Sequence, residues 1–381
     1  MDQEQIKKYL AEHANVVVPT YGRKIGDFQV GDVYHHPWDV TVDDGMINIF
    51  AASFMDANPL YWSDVYASKI GFKRRVVHPL LLLNLGLSFS VHDVSEQAIA
   101  HLAYIDVKFP NPMYPGETFT AYSEVLGMKV SESDPSRGVI HVRTVGTNED
   151  GEPVVAFERK ALVRAGNVEG RPASPTVWAD GAPHTVDVSG ASAIRHGFKK
   201  HFKRPKRYSG HIGFFEDFTE GKIFLHDCGK TVGESEHMGL TYLVRNSHPL
   251  HYDEVYSQAN SFLKTRVVYG GLVFGWVASN AARDTGGQIV WDLGYDEGAH
   301  PGPVTAGDTI FAASKVLATE DYGDDLGIVT LRLVGTKNAK PVEVLAAGRD
   351  LFAPELKKAK DEKVKEKVFE ITRKILVHKR P

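Results

Sequence analysis

Residues 242–253 read Tyr242-Leu243-Val244-Arg245-Asn246-Ser247-His248-Pro249-Leu250-His251-Tyr252-Asp253, and this stretch decides the fold because it occurs twice. Laid over residues 52–63 at an offset of 190 positions, it pairs Asn246 with Asp56, His248 with Asn58, Pro249 with Pro59, Leu250 with Leu60 and His251 with Tyr61. Four more matches keep the same order. Asp27-Phe28-Gln29-Val30-Gly31 returns as Asp217-Phe218-Thr219-Glu220-Gly221, and Arg75-Val76-Val77-His78 returns as Arg266-Val267-Val268-Tyr269. Pro115-Gly116-Glu117-Thr118 matches Ala306-Gly307-Asp308-Thr309, and Val145-Gly146-Thr147 matches Val334-Gly335-Thr336. The offset stays between 189 and 191 throughout, so the chain is a duplication whose chemistry has diverged.

Each half passes through the same succession. A Phe-x-x-Gly turn leads to a helix-like segment (Ile47 to Phe54; His237 to Val244), the proline turn, and a long apolar helix (Val76 to Val91; Val267 to Ala278). Three or four strands follow, with β-branched and aromatic residues alternating over Phe119 to Leu126, Val139 to Val145, Ile310 to Val316 and Ile328 to Leu333. A long helix followed by antiparallel strands that must cover it indicates an α+β layer, not a doubly wound sheet. The expected organisation is a first repeat at 1–166, a linker with a basic segment at 167–207, a second repeat at 208–355 and a C-terminal helix at 356–381. The helix is expected because Val364, Val368, Ile371 and Ile375 form one apolar stripe at helical spacing.

The totals exclude several classes. The chain has 381 residues, 43% of them hydrophobic, enough for two ordinary cores. A formal charge of −4 gives no global attraction to nucleic acid or an anionic membrane, so neither is expected as a partner. The basic cluster Lys199, Lys200, Lys203, Arg204, Lys206 and Arg207 reads as a solvated loop or a local phosphate site. The single cysteine, Cys228, reads as a small buried hydrophobe and cannot form an intrachain disulfide. With no apolar leader and no run near the ~18 apolar residues of a membrane span, the expected location is cytoplasmic.

Asp56-Ala57-Asn58-Pro59-Leu60 resembles most of the Asp-x-Asn-Pro-Leu-His signature of the MaoC-like, R-specific enoyl-CoA hydratases. Asn246-Ser247-His248-Pro249-Leu250-His251 carries its proline and final histidine, and Arg75-Val76-Val77-His78 resembles the start of the long helix that follows. The resemblance covers both halves and implies a double hotdog, two long helices each wrapped by an antiparallel sheet. It also implies reversible hydration of an enoyl-CoA, with mesaconyl-CoA to β-methylmalyl-CoA as the specific pair suggested by Glu236-His237-Met238 ahead of the second motif. No cofactor is expected, since coenzyme A belongs to the substrate; a homo-oligomer is compatible with the family. The alternatives are an R-specific enoyl-CoA hydratase of other substrate range, a hotdog acyl-CoA thioesterase and a non-catalytic acyl-CoA-binding protein in which both motifs have decayed.

Hydration needs a base for water, a proton for the α-carbon and donors for the thioester oxygen as enolate charge develops. The resembled family supplies an Asp and a His five residues apart and a backbone N–H at the start of the long helix. Here those parts are divided. The first half has Asp56 but Tyr61 in place of the histidine, and Pro79, which has no N–H, where a glycine is expected. The second half has His251, Gly270 and Gly271, but Asn246 in place of the acid. Chemistry is therefore expected in the second half, with His251 as base, Asn246 orienting water and Gly270 as oxyanion donor. The acid partner of His251 stays open among Asp56, Glu236, Asp253 and none. A free carboxylate on the substrate would call for a cation, and Arg75, Arg266, Arg245 and His248 are the candidates.

Overall fold

The leucine-rich run from Pro79 to Ser90 has no polar face to turn to water, so it can be a helix only where it is covered on every side. In the computed structural model, which describes residues 3–169, 175–176, 185–188, 213–359 and 361–381, all twelve of its residues are buried. The basic cluster from Lys199 to Arg207 and most of the expected linker lie outside the described residues.

In chain order the first half comprises α1 (Gln3–Glu12), β1 (Val33–Thr41), α2 (Asp44–Phe54), α3 (Asp64–Ile70), α4 (Pro79–Ser90), β2 (Ala98–Lys108), β3 (Thr118–Val130), β4 (Arg137–Thr147) and β5 (Pro153–Arg164). The second half has β6 (Ile223–Thr231), α5 (Glu234–Leu243), α6 (Glu254–Asn260), α7 (Gly270–Thr285), β7 (Ile289–Ala299), β8 (Thr309–Asp321) and β9 (Leu326–Lys337). A short α8 (Pro341–Ala346) then precedes β10 (Lys367–His378). All ten strands form one antiparallel sheet in the order β1-β3-β4-β5-β2-β7-β10-β9-β8-β6, so each half contributes the same five-strand arrangement in mirrored order. This is the double hotdog that the resemblance implies.

The two halves meet at β2 and β7, where Tyr104 pairs with Gly298 and Lys108 with Gly294. Gly294 has φ +156, and a Cβ there would stand 2.3 Å from the Val107 carbonyl, so the seam admits only glycine at that point. Beneath the sheet α4 and α7 run against each other. A Cβ on Gly271 would lie 1.9 Å from Asn84 Oδ1, which is why α7 begins with residues that are otherwise poor helix formers. Leu80 to Leu83 and Leu272, Val273, Phe274 and Trp276 fill the space between helices and sheet. Truncating one of them, as in Leu83→Ala, would cost ~2–5 kcal/mol.

A strut occurs once in each half. His36 bridges Asp93 Oδ2 at 2.9 Å and Ser123 Oγ at 2.9 Å; His226 bridges Asp284 Oδ2 at 2.7 Å and Ser314 Oγ at 3.0 Å. Each ties the first strand of its half to the far end of the long helix. The histidines and serines are buried, so these His–Asp–Ser chains serve the fold.

The expected C-terminal helix is a correction: residues 367–378 are β10, and the second hotdog runs to His378. The apolar stripe misled because the intervening polar residues are not a solvated face. β10 lies between β7 and β9, where Lys367 pairs with Glu370 at 2.6 Å and Arg373 with Asp292 at 2.6 Å, all buried, while Phe369, Leu376 and Val377 complete the apolar set. Strands β1 and β6 were hidden by the bulges that interrupt their pairing, His35 to Asp39 and His226 to Lys230. Cys228 sits on β6 and is exposed, not buried. Among the described residues no helix is long and apolar enough to cross a membrane.

Candidate active site

Both proline turns fold alike because the same type of cap closes them. In the first half Asp56 Oδ1 accepts from the Asn58 N–H at 2.7 Å and Asn58 Oδ1 accepts from the Leu60 N–H at 3.0 Å. In the second, Asn246 Oδ1 accepts from the His248 N–H at 3.0 Å and His248 Nδ1 accepts from the Leu250 N–H at 3.2 Å. Each cap also reaches the other half. Asn58 Nδ2 donates to the Ile289 carbonyl at 3.1 Å, and His248 Nε2 donates to the repeat-related Ala98 carbonyl at 3.2 Å. With both ring nitrogens engaged, His248 is a structural cap, and the expected carboxylate contact has no atom left to make it.

Beyond the caps, histidine and tyrosine have exchanged places. The first half has Tyr61 on the turn and His78 before the long helix; the second has His251 on the turn and Tyr269 before the helix. His78 closes its own site: Nδ1 accepts from the Leu80 N–H at 3.0 Å, Nε2 donates to Asp56 Oδ2 at 3.1 Å, and the Tyr61 ring packs on it at 4.1 Å. Tyr269 offers α7 no such side-chain cap, so the first N–H groups of that helix, Gly270's included, are left for another partner.

That partner would sit in a cavity of about 440 Å³ onto which Asn246, His251, Tyr269 and Gly270 open. Its opposite wall comes from the first half, from Leu87 on α4, His101 and Tyr104 on β2, and Arg159 on β5. Asp56, Tyr61, His78 and Pro79 take no part in it. Gly271 faces α4 instead, its carbonyl 3.4 Å from Asn84 Nδ2.

His251 donates from Nδ1 to the Val267 carbonyl at 2.8 Å, which leaves Nε2 with a free lone pair. Burial first, and then the neighbouring His248, pushes its pKa down to about 3, so the imidazole is neutral at physiological pH. No Asp or Glu lines the cavity among the described residues. The three acid partners considered for His251 are occupied elsewhere. Asp56 binds His78; Glu236 pairs with Lys230 at 2.8 Å; Asp253 caps α6, accepting from the Tyr256 N–H at 2.9 Å. Among the described residues the bond recorded for the His251 ring is to the Val267 carbonyl, and none of the three carboxylates lines its cavity.

The expected cationic residues are also elsewhere. Arg75 pairs with Asp44 at 2.6 Å and bonds Asn48, Arg266 pairs with Glu234 and Glu254, and Arg245 lies over the Trp38 ring at 4.9 Å. Two arginines of β5 line the cavity, the buried Arg159 and the half-buried Arg164, and His300 is a further residue that local motifs do not reveal. His300 Nε2 lies 3.3 Å from Tyr104 OH, and a Cβ on Gly270 would stand 2.8 Å from it, so glycine is needed there for space as well. Its repeat-related position is Phe109, and a histidine where the twin carries a core aromatic was the available signal.

A sequence profile of the family described as Mesaconyl-CoA hydratase matches residues 11–344. A Mesaconyl-CoA hydratase from Cereibacter sphaeroides is 30% identical over 83% of this chain and 90% of its own length. A Beta-methylmalyl-CoA dehydratase from Chloroflexus aurantiacus is 28% identical over 83% of this chain and 89% of its own. Among solved structures, a MaoC domain protein dehydratase from Chloroflexus aurantiacus superposes with a TM-score of 0.79 at 24% identity, covering 96% of this chain and all of that one. A Mycobacterium tuberculosis protein with a double hotdog fold superposes at 0.71 and 19% identity over 95% of this chain and all of that one. These two structures bear on the fold alone.

Proposed function

The chain belongs to the mesaconyl-CoA hydratase family, and from that premise we propose that the second-half cavity carries the family's reaction in this protein. The protein is a hydro-lyase that reversibly hydrates an enoyl-CoA, with mesaconyl-CoA and β-methylmalyl-CoA as the pair. The observation that carries the assignment to the second half is the uncapped N-terminus of α7 opening beside a histidine with a free Nε2.

The thioester oxygen is held at Gly270, where the N–H and the helix dipole oppose the charge that grows on it. His251 Nε2 takes a proton from water that the Asn246 side chain orients, and the water oxygen bonds to the β-carbon. The π electrons of the double bond move toward the thioester and form the enolate. Its collapse draws a proton onto the α-carbon, and His251, now protonated, is the group placed to return it. One base acting twice suits a cavity without a carboxylate, and it requires both additions on the same face of the double bond. No cofactor enters this scheme; coenzyme A arrives as part of the substrate.

The thioesterase alternative lacks the carboxylate it would need against the long helix. The test is to follow the absorbance of the conjugated thioester while assaying free thiol. Loss of absorbance without thiol release is expected. Thiol release would indicate hydrolysis, and neither change would leave only binding.

A further inference from the structure

Arg159 and Arg373 occupy the same place in the two halves. Arg159 on β5 lies opposite Tyr104 of β2, and Arg373 on β10 lies opposite Tyr295 of β7. Both are buried, at 3% and 6% exposure. Their partners differ. Arg373 forms a two-pronged ion pair with Asp292 at 2.6 and 2.9 Å. Burial alone would lower its pKa, but Asp292 outweighs burial and holds it above the ordinary arginine value.

The repeat-related position of Asp292 is His101, and Arg159 has no carboxylate partner among the described residues. Two neutral hydroxyls hold it instead. Nη2 donates to Ser90 Oγ at 2.7 Å and to Ser95 Oγ at 3.1 Å, and Nη1 to Ser95 Oγ at 3.2 Å. Ser95 is presented by a π-helical turn, Val91–Ser95, that ends α4; the residues repeat-related to Ser90 and Ser95 are Ala281 and Gly286, and α7 stays α-helical to Thr285, where Gly286 caps it. Among the described residues the Nε–H of Arg159 and both ring nitrogens of His101 have no hydrogen-bond partner, and both residues line the cavity.

A buried guanidinium without a counter-charge is costly, because it gives up its hydration for no opposing charge. Burial lowers the Arg159 pKa only to about 10, so it stays charged at neutral pH. Among the described residues no Asp or Glu lines the cavity, so its charge is left to be matched by what enters. The planar fork of arginine fits a carboxylate better than it fits a neutral group.

We infer that Arg159 is the specificity-determining residue of this cavity, and that it binds the free carboxylate of a dicarboxylic acyl-CoA substrate through charge-assisted hydrogen bonds, with His101 beside it. The inference rests on the hydration reading of the same cavity and names the substrate class: an enoyl thioester with a second, ionised carboxyl group. In mesaconyl-CoA that group is attached to the β-carbon, the atom that receives water.

Initial rates of wild type, Arg159→Met and Arg159→Lys on mesaconyl-CoA and on (E)-2-methylcrotonyl-CoA, in which a methyl replaces the carboxylate, test it. Calorimetric binding of mesaconyl-CoA to each protein accompanies the rates. Arg159→Met should lose ~10²-fold or more in kcat/KM on mesaconyl-CoA, the scale for truncating one partner of a buried charge pair, and change less than ~3-fold on the uncharged thioester. Arg159→Lys should recover part of the loss, since it keeps the charge but not the fork. If the methionine variant does not fold, Arg159→Gln takes its place, removing the charge while keeping an amide donor for the serines. Equal losses on both thioesters would make Arg159 structural and overturn the inference, as would undiminished binding and hydration of mesaconyl-CoA by the variant. The hydration reading fails separately: a wild type that binds mesaconyl-CoA through Arg159 and hydrates neither thioester would keep this subsite and lose the reaction.

Discussion

The two proline turns share a backbone and differ in what their side chains are committed to. In the first half Asp56, His78 and Tyr61 satisfy one another and the start of α4, so the site is closed by its own residues. In the second half the exchange of histidine and tyrosine leaves α7 uncapped and His251 Nε2 free. The arginines show the same contrast with the halves reversed: Arg373 of the second half has a carboxylate partner, and Arg159 of the first half is held by serine hydroxyls. A duplicated scaffold can keep its struts and caps in both copies while each copy leaves unsatisfied, at the shared cavity, groups that its twin satisfies, and unsatisfied groups are what a substrate can use.

The sharpest way to break this comparison is His251→Ala. Removing the free imidazole should lower hydration by ~10²-fold or more at unchanged melting temperature, and near-normal turnover would take His251 out of the mechanism. Next is the oxyanion donor. Because any side chain at Gly270 meets His300, the comparison is made in a His300→Ala background, where Gly270→Ala keeps the N–H and Gly270→Pro removes it. Turnover by the proline variant should be ~10²-fold below that of the alanine variant, the usual cost of one oxyanion donor. Equal rates would mean the thioester oxygen is held elsewhere.

At the self-satisfied member of each pair the effects should fall on stability. Asp292→Ala leaves Arg373 buried without its partner and should cost ~3–5 kcal/mol, read by denaturant titration, while a folded fraction retains its turnover number. Asp56→Ala should cost ~1–3 kcal/mol through the lost bonds to His78 and Asn58 and change turnover by less than ~3-fold. A deep loss of turnover from Asp56→Ala would show that the wrong half has been assigned. The smallest expected change is with pH. Hydration requires neutral His251, and a pKa of about 3 keeps it neutral far below the ordinary ~6.5, so kcat/KM should stay nearly flat as pH falls from 7 toward 5. An acid limb near 6.5 would place the base on another group.

The duplication and the fold class were legible in the linear chain, because they depend on residue identity at fixed offsets: proline turn, helix start and the turns between strands. Local chemistry of that kind survives without coordinates. The wrong reading of Val364, Val368, Ile371 and Ile375 arose because a strand buried on both faces, with its charges paired inside, shows no alternation to detect. The arginines were misplaced for a related reason. Arg75 and Arg266 are near the motifs in sequence but are neutralised by Asp44 and Glu234.

Only the tertiary structure could choose Arg159, because its role depends on strand register and on a helix end brought beside it. The pairing of β5 with β2 puts it opposite Tyr104 and beside His101, and the π turn after α4 brings Ser95 to its guanidinium. What the amino-acid order alone determined was which groups exist and which local turns they form. Whether a buried charge meets a partner or a cavity was decided by packing between segments far apart in the chain, since electrostatic satisfaction depends on distance in space.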